Sequence, residues 1–103
     1  MTGKRYFAYK IVPYRPNFAS SATDEEKLID GKHFNYLKSL LEKNILVHAG
    51  RTDKGEFGLA IFECGTMEEA QTLTKNDPAV KAGIFIPEVF EYYVALNRGI
   101  KDD

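Results

Sequence analysis

Two side chains in this sequence could move a proton near neutral pH if the fold brings them together: His33 and Asp77. A neutral imidazole, with an ordinary pKa of about 6.5, accepts a proton at one ring nitrogen. A carboxylate on the other nitrogen fixes the tautomer and supports the imidazolium that forms. His33 stands one turn after Ile29 and one turn before Leu37, on an apolar stripe. Asp77 lies in "KNDPAV", where Asp-Pro forces the chain to turn. Each has a plainer reading. His33 is also placed as a core histidine would be, and Asp-Pro is a common turn opener whose carboxylate caps backbone amides. Together they support proton abstraction if His33 faces a second helix and Asp77 sits at that helix's exit.

Other chemistries have less support. No Ser or Cys lies in a nucleophile motif, so acyl transfer is not indicated. His48 falls within a strand pattern, and two histidines without matching spacing do not make a metal site. Neither a metal nor an organic cofactor is expected. Cys64, the single cysteine, reads as a small hydrophobe at a strand end. Arg51 could bind a substrate carboxylate in two-pronged fashion, or stand solvated at a turn. "KGEFG" lacks a phosphate-loop pattern.

The elements that must position these residues can be read from spacing. "RYFAYKIVPY" (Arg5–Tyr14) is aromatic and β-branched, a first strand. "RPNFASSA" (Arg15–Ala22) has loop composition. Thr23 with Glu26 forms a capping box opening a helix over Asp24–Lys43, whose inward face is Ile29, His33, Tyr36, Leu37, Leu40 and Leu41. Gly31 weakens that helix. "ILVHAGRT" (Ile45–Thr52) and "FGLAIFEC" (Phe57–Cys64) are strands joined by "DKGE" as a hairpin turn. Thr66 and Glu69 open a second helix in the same way, and Pro78 stops it. Gly83–Leu96 is a fourth strand interrupted by Pro87, and the polar tail "NRGIKDD" is expected to fray. The order β-α-β-β-α-β is the split βαβ, ferredoxin-like pattern: α+β, one antiparallel sheet with two helices on one face.

Such a sheet should alternate apolar and polar residues. Here both faces are apolar: Phe57, Leu59 and Ile61 oppose Ala60, Phe62 and Cys64, and Phe90, Tyr92 and Val94 oppose Val89, Tyr93 and Ala95. A lone copy would expose more apolar surface than is normally tolerated, which implies a homodimer packed sheet to sheet. The chain's 103 residues fit one domain with its core over about 5–96, and 44% apolar residues can build a small core. A net charge of −1 and a pI near 6.1 argue against nucleic acid. No apolar run approaches the roughly 18 residues of a membrane span. "MTGKRYFAYK" lacks the apolar core of a signal peptide, and a cytoplasmic setting is expected.

Taken together, "YRPNF", "TDEE", "GKHFNYLKSLLEKNILVHAG", "FGLAIFE" and "EEAQTLTKNDPAVKAGIF" resemble the YciI-like (YCII-related) family of the dimeric α+β barrel superfamily, over about Tyr6–Leu96. The spacing of H-x-x-Y-L and "DPAVKAG" carries most of that likeness. The resemblance implies a sheet-to-sheet dimer and an active site on a His–Asp pair, His33 and Asp77. It implies that Arg15 and Phe18 lie near the cleft mouth and that Gly50 and Gly58 mark close approaches. Arg15, Phe18, Tyr36 and Arg51 are the expected substrate contacts. The sequence departs from the family pattern at Arg51, where proline is expected, and at Glu91-Tyr92. One branch includes a cofactor-free dehydrochlorinase acting on a chlorinated hydroxyquinol. The resemblance thus implies proton transfer on a small cyclic or aromatic oxygenated metabolite, of lyase or isomerase type. The alternative is a non-catalytic module that binds a small molecule or dimerises as an accessory domain.

Overall fold

The structure, a computed structural model, describes residues 5–100. Its elements run β1 (Arg5–Pro13), α1 (Phe18–Ser21), α2 (Asp24–Glu42), β2 (Leu46–Arg51), β3 (Gly58–Cys64), α3 (Met67–Lys75), α4 (Pro78–Lys81) and β4 (Phe85–Tyr92). The four strands form one antiparallel sheet in the order β2-β3-β1-β4. This is the α+β arrangement expected from the sequence. The last three residues of the tail, 101–103, lie outside the described residues.

β1 is a central strand. Its Phe7, Tyr9 and Ile11 pack with Ala60 and Phe62 of β3 beneath Leu37 and Leu40 of α2 and Ala70 of α3. The other face carries Ala8, Leu59, Ile61, Ile86, Phe90 and Tyr92, paired across the sheet in register; of these, Ile86, Phe90 and Tyr92 are exposed. The two edges are irregular. Pro87 sits on the outer strand β4 opposite Ile11, where a missing N–H costs no ladder bond. β2 carries a register shift between Leu46 and His48.

Local chemistry sets the helix boundaries. At Thr23 both halves of the capping box form: the Glu26 amide donates to Thr23 Oγ1 at 3.1 Å, and the Thr23 amide donates to Glu26 Oε1 at 2.9 Å. At Thr66 only one half forms, because the Glu69 carboxylate accepts from the Gly65 amide and the Thr66 hydroxyl instead. Asn44 takes the left-handed conformation, φ 63°, that turns α2 into β2, a role more often given to glycine.

Four differences from the sequence reading bear on the site. The Arg15–Ala22 segment is not simply loop; it contains the one-turn helix α1. Pro78 does not stop α3, which ends at Lys75 with Asn76 as its C-cap; it begins a further turn, α4, with Asp77 as its N-cap. Proline is suited to that first helical position, where its absent N–H is not missed. Leu41 is exposed, and the inward stripe of α2 instead begins with Glu26. The fourth strand ends at Tyr92, and Tyr93 and Leu96 stand almost fully in solvent.

Candidate functional site

Asp77 is fully buried, and three donors converge on its carboxylate. The Ala79 amide donates to Oδ1 at 2.9 Å, which is the α4 cap. The Tyr9 hydroxyl, rising from the middle of β1, donates to Oδ2 at 2.8 Å. His33 Nδ1 lies 2.6 Å from the same Oδ2. With Nδ1 facing a carboxylate, the neutral ring carries its proton there and leaves Nε2 bare. Nε2 makes no hydrogen bond among the described residues. The imidazole is held edge-on against Phe85, ring centroids 4.9 Å apart. Burial, together with the neighbouring Asp77, pushes the Tyr9 phenol far above its ordinary value, so it stays a donor.

Beside His33 opens a cavity of about 770 Å³, within the range of small-molecule sites. Its floor is Ile11, Pro13, Gly58 and Phe85. One wall is Phe18, Ala19 and Ala22 from α1 and its exit; another is Lys27, Asp30, Gly31, His33 and Phe34 of α2. The third is the β2–β3 hairpin, with Ala49, Gly50, Arg51, Gly55 and Phe57. The hairpin reaches α1 because its tip is glycine: a Cβ on Gly55, at φ +71°, would stand 2.9 Å from that of Ala19.

The expected contacts separate into two groups. Phe18 and Arg51 line the cavity with His33. Arg15 and Tyr36 do not. The Arg15 guanidinium donates to Glu26, to Ser21 and to the Tyr14 oxygen, and lies over the Phe18 ring. It therefore clamps α1 onto the start of α2 and backs Phe18 from outside. Tyr36, three residues after His33, turns its hydroxyl toward α3 and donates to the Leu73 carbonyl at 2.7 Å. Gly58 is a close approach, since a Cβ there would meet the Gly50 carbonyl oxygen at 3.2 Å. A Cβ on Gly50 would meet nothing within 4 Å in the protomer. His48 is exposed and pairs with Ile61, away from the helices. Cys64 is half-buried, its thiol raised by that burial.

Tyr9 was not legible as a site residue, because a tyrosine in an aromatic-rich strand carries no local signal of a partner 68 positions away. Glu26 was read only as half of a capping box. It also accepts from the Tyr14 hydroxyl at 2.5 Å and pairs with Arg15 at 2.6 Å. Those hydrogen bonds, with Tyr14 the largest influence, bring its carboxyl down to about 2.

A four-stranded antiparallel sheet, helices on one face, and a buried His–Asp pair opening on a cavity define an α+β protein of the ferredoxin-like kind. The YCII-related domain matches residues 8–92, and the chain belongs to that family. Among solved structures it is similar to 5-chloro-2-hydroxyhydroquinone dehydrochlorinase (TftG) from Burkholderia phenoliruptrix AC1100, determined in complex with 2,5-dihydroxybenzoquinone. The TM-score is 0.63 at 22% identity, over 84% of this chain and 93% of that one. No curated protein matches significantly. Among the described residues, no helix is long and apolar enough to cross a membrane.

Proposed function

We propose that this protein is an enzyme in which His33, oriented by Asp77, transfers a proton on a small cyclic or aromatic oxygenated compound held in the cavity. The observation that carries this reading is the 2.6 Å Nδ1–Oδ2 contact of a ring whose other nitrogen is unengaged beside that cavity. In an elimination, Nε2 takes a proton from a carbon acidified by a neighbouring carbonyl or enol oxygen. The C–H electron pair becomes the new double bond while the leaving group departs with its own pair. The imidazolium, balanced by Asp77, then returns its proton to solvent. In an isomerisation the same proton goes back to a different carbon. The chain's own residues suffice for either sequence. The dehydrochlorinase with the similar fold supports a cyclic oxygenated substrate class.

The test is turnover on a panel of halogenated hydroquinols and lactones. On a substrate that reacts, His33→Asn loses roughly 10²–10⁴-fold, the usual contribution of a general base. Ligand binding without turnover on any of them leaves a non-catalytic binding module. An independent measurement is the His33 tautomer, read from its ring nitrogen chemical shifts: Nδ1–H in the wild type, with that preference lost in Asp77→Asn, where the carboxylate that accepts from Nδ1 is gone. A wild-type ring that carries its proton on Nε2 ends the oriented-base account.

The outer face of the sheet supports a second proposal from the same fold: two copies pack there face to face. Ile86 and Phe90 are each half-exposed on that face and continuous with Leu59, Ile61 and Ala8. Sedimentation at micromolar concentration should show a dimer, and a stable monomer refutes it.

A further inference from the structure

Tyr9 stands in the middle of β1 between Phe7 and Ile11, fully buried, its ring centroid 5.7 Å from that of Phe62. Packing alone asks only for an apolar ring there, as Phe7 and Phe62 supply on the same face of the sheet. The hydroxyl is an addition that destabilises unless it finds a partner. It finds Asp77, on an oxygen already in use. The phenol donates to Oδ2 at 2.8 Å, the atom that accepts from His33 Nδ1 at 2.6 Å, while Oδ1 accepts the Ala79 amide at 2.9 Å. A tyrosine beside a carboxylate need not do this. At Glu26 the Tyr14 hydroxyl goes to Oε2, and Arg15 and the Thr23 amide both go to Oε1. Sharing one oxygen has a chemical consequence. Each donor draws off part of the negative charge that the other meets, so the phenol weakens the pull of Oδ2 on the Nδ1 proton. Such polarisation between neighbouring hydrogen bonds is strong in a low-dielectric interior. The phenol on one oxygen and the amide on the other also fix the plane of the carboxylate without help from the imidazole.

We propose that Tyr9 is a positioning residue for the His33–Asp77 pair: by sharing Oδ2 it keeps the bridging proton on Nδ1 and the carboxylate as the anion. This rests on the reading of the pair as a proton relay, and it adds the group that sets how the pair divides its proton. A proton drawn across to Asp77 would leave a neutral acid beside the ring, with no charge to balance the imidazolium. Burial and the neighbouring Asp77 hold the phenol itself far above its ordinary value, so it remains the donor. Tyr9 does not act by touching a ligand, because it is fully buried and is no part of the cavity wall.

The experiment follows the His33 Nδ1–H proton and its one-bond coupling to nitrogen in the labelled full chain. The wild type is compared with Tyr9→Phe and with protein carrying 3-fluorotyrosine at position 9, whose phenol is the stronger donor. In Tyr9→Phe the proton should stay on Nδ1 but move downfield with a smaller coupling, as Oδ2 regains its charge. With 3-fluorotyrosine it should move upfield with a larger coupling. Opposite shifts from two changes at one buried ring are what a merely structural role does not produce. Should Tyr9→Phe fail to fold, the fluorinated protein decides, since it keeps the hydroxyl and the packing. An unmoved signal in both forms, or shifts in the same direction, overturns the proposal. On a substrate that reacts, Tyr9→Phe should change kcat and leave KM where it was; a raised KM with kcat unmoved also overturns it. Shifts as described with no turnover on any substrate would leave the role of Tyr9 in the pair standing and remove the catalytic reading. Turnover with an Nδ1–H signal indifferent to both changes would do the reverse.

Discussion

Two carboxylates in this small protein are dressed almost identically and do different things. Glu26 accepts from the Tyr14 phenol, the Arg15 guanidinium and a backbone amide at Thr23. Asp77 accepts from the Tyr9 phenol, the His33 imidazole and a backbone amide at Ala79. Each is also tied to the first turn of a helix, Glu26 as the third residue of α2 and Asp77 as the cap of α4. The difference lies in the base and in what surrounds it. Arginine is charged at all ordinary pH values and its donors are engaged within the protein, so the Glu26 cluster is a clamp that holds α1 over the cavity. Histidine can gain or lose a proton, and its second nitrogen borders empty space. One geometry is thus a fastening in one place and a candidate proton relay in the other.

The largest way to break the comparison is to remove the buried member. Asp77→Ala strands the Tyr9 hydroxyl, the His33 ring and the Ala79 amide together. Denaturant titration should show a loss of about 3–5 kcal/mol, the range for breaking a buried pair by deleting one partner. A loss under 1 kcal/mol would mean the three donors find other acceptors. Tyr9→Phe is a smaller cut. It leaves His33 and the cap in place, and should cost about 1–3 kcal/mol because Asp77 keeps only two of its donors. Its sharper reading comes from the His33 tautomer: nitrogen chemical shifts should still report Nδ1–H, since the phenol shares Oδ2 but does not hold the ring.

The Glu26 cluster should show itself in pH dependence. Its carboxyl is held at about 2 in the folded protein against an ordinary value of 4.5. A carboxyl lowered on folding stabilises above its unfolded value, and that contribution disappears as pH falls through the folded one. Stability should therefore decline between about pH 4.5 and 2, and Glu26→Gln should flatten that decline while lowering stability at pH 7. An unchanged slope in the variant would show that the cluster is formed in the crowded geometry of the fold but contributes nothing through its charge. Smallest of the effects, Gly31→Ala should raise stability by roughly 0.5–1 kcal/mol, the ordinary difference between these residues within a helix.

How far these clusters could be read in advance depended on sequence distance. The Thr23–Glu26 cap was legible because both partners lie within one turn and answer only to local backbone geometry. The succession of strands and helices along the chain followed from periodicity and from the hairpin at Asp53–Glu56. His33 and Asp77 could be paired only as a topological expectation, which the 2.6 Å contact meets, although Asp77 arrives there by starting α4 rather than by ending α3. Tyr9 and the Arg15–Glu26 pair escaped because nothing local marks a strand tyrosine or a loop arginine as someone else's partner. Tyr36 was misplaced on the cavity for a related reason. Three residues along a helix carry a side chain most of the way round, and the choice between cavity and α3 was made by the free carbonyl of Leu73.

The irregular edges of the sheet have a consequence beyond the site. A strand ladder grows by matching an unbroken row of amides to a new chain. One border of this sheet is interrupted by the ring of Pro87, and the other is thrown out of step between Leu46 and His48. Neighbouring molecules therefore have no clean rail along which to zip, and the apolar surface they can share is the broad one. The face-to-face pairing proposed above would use that broad surface and neither edge.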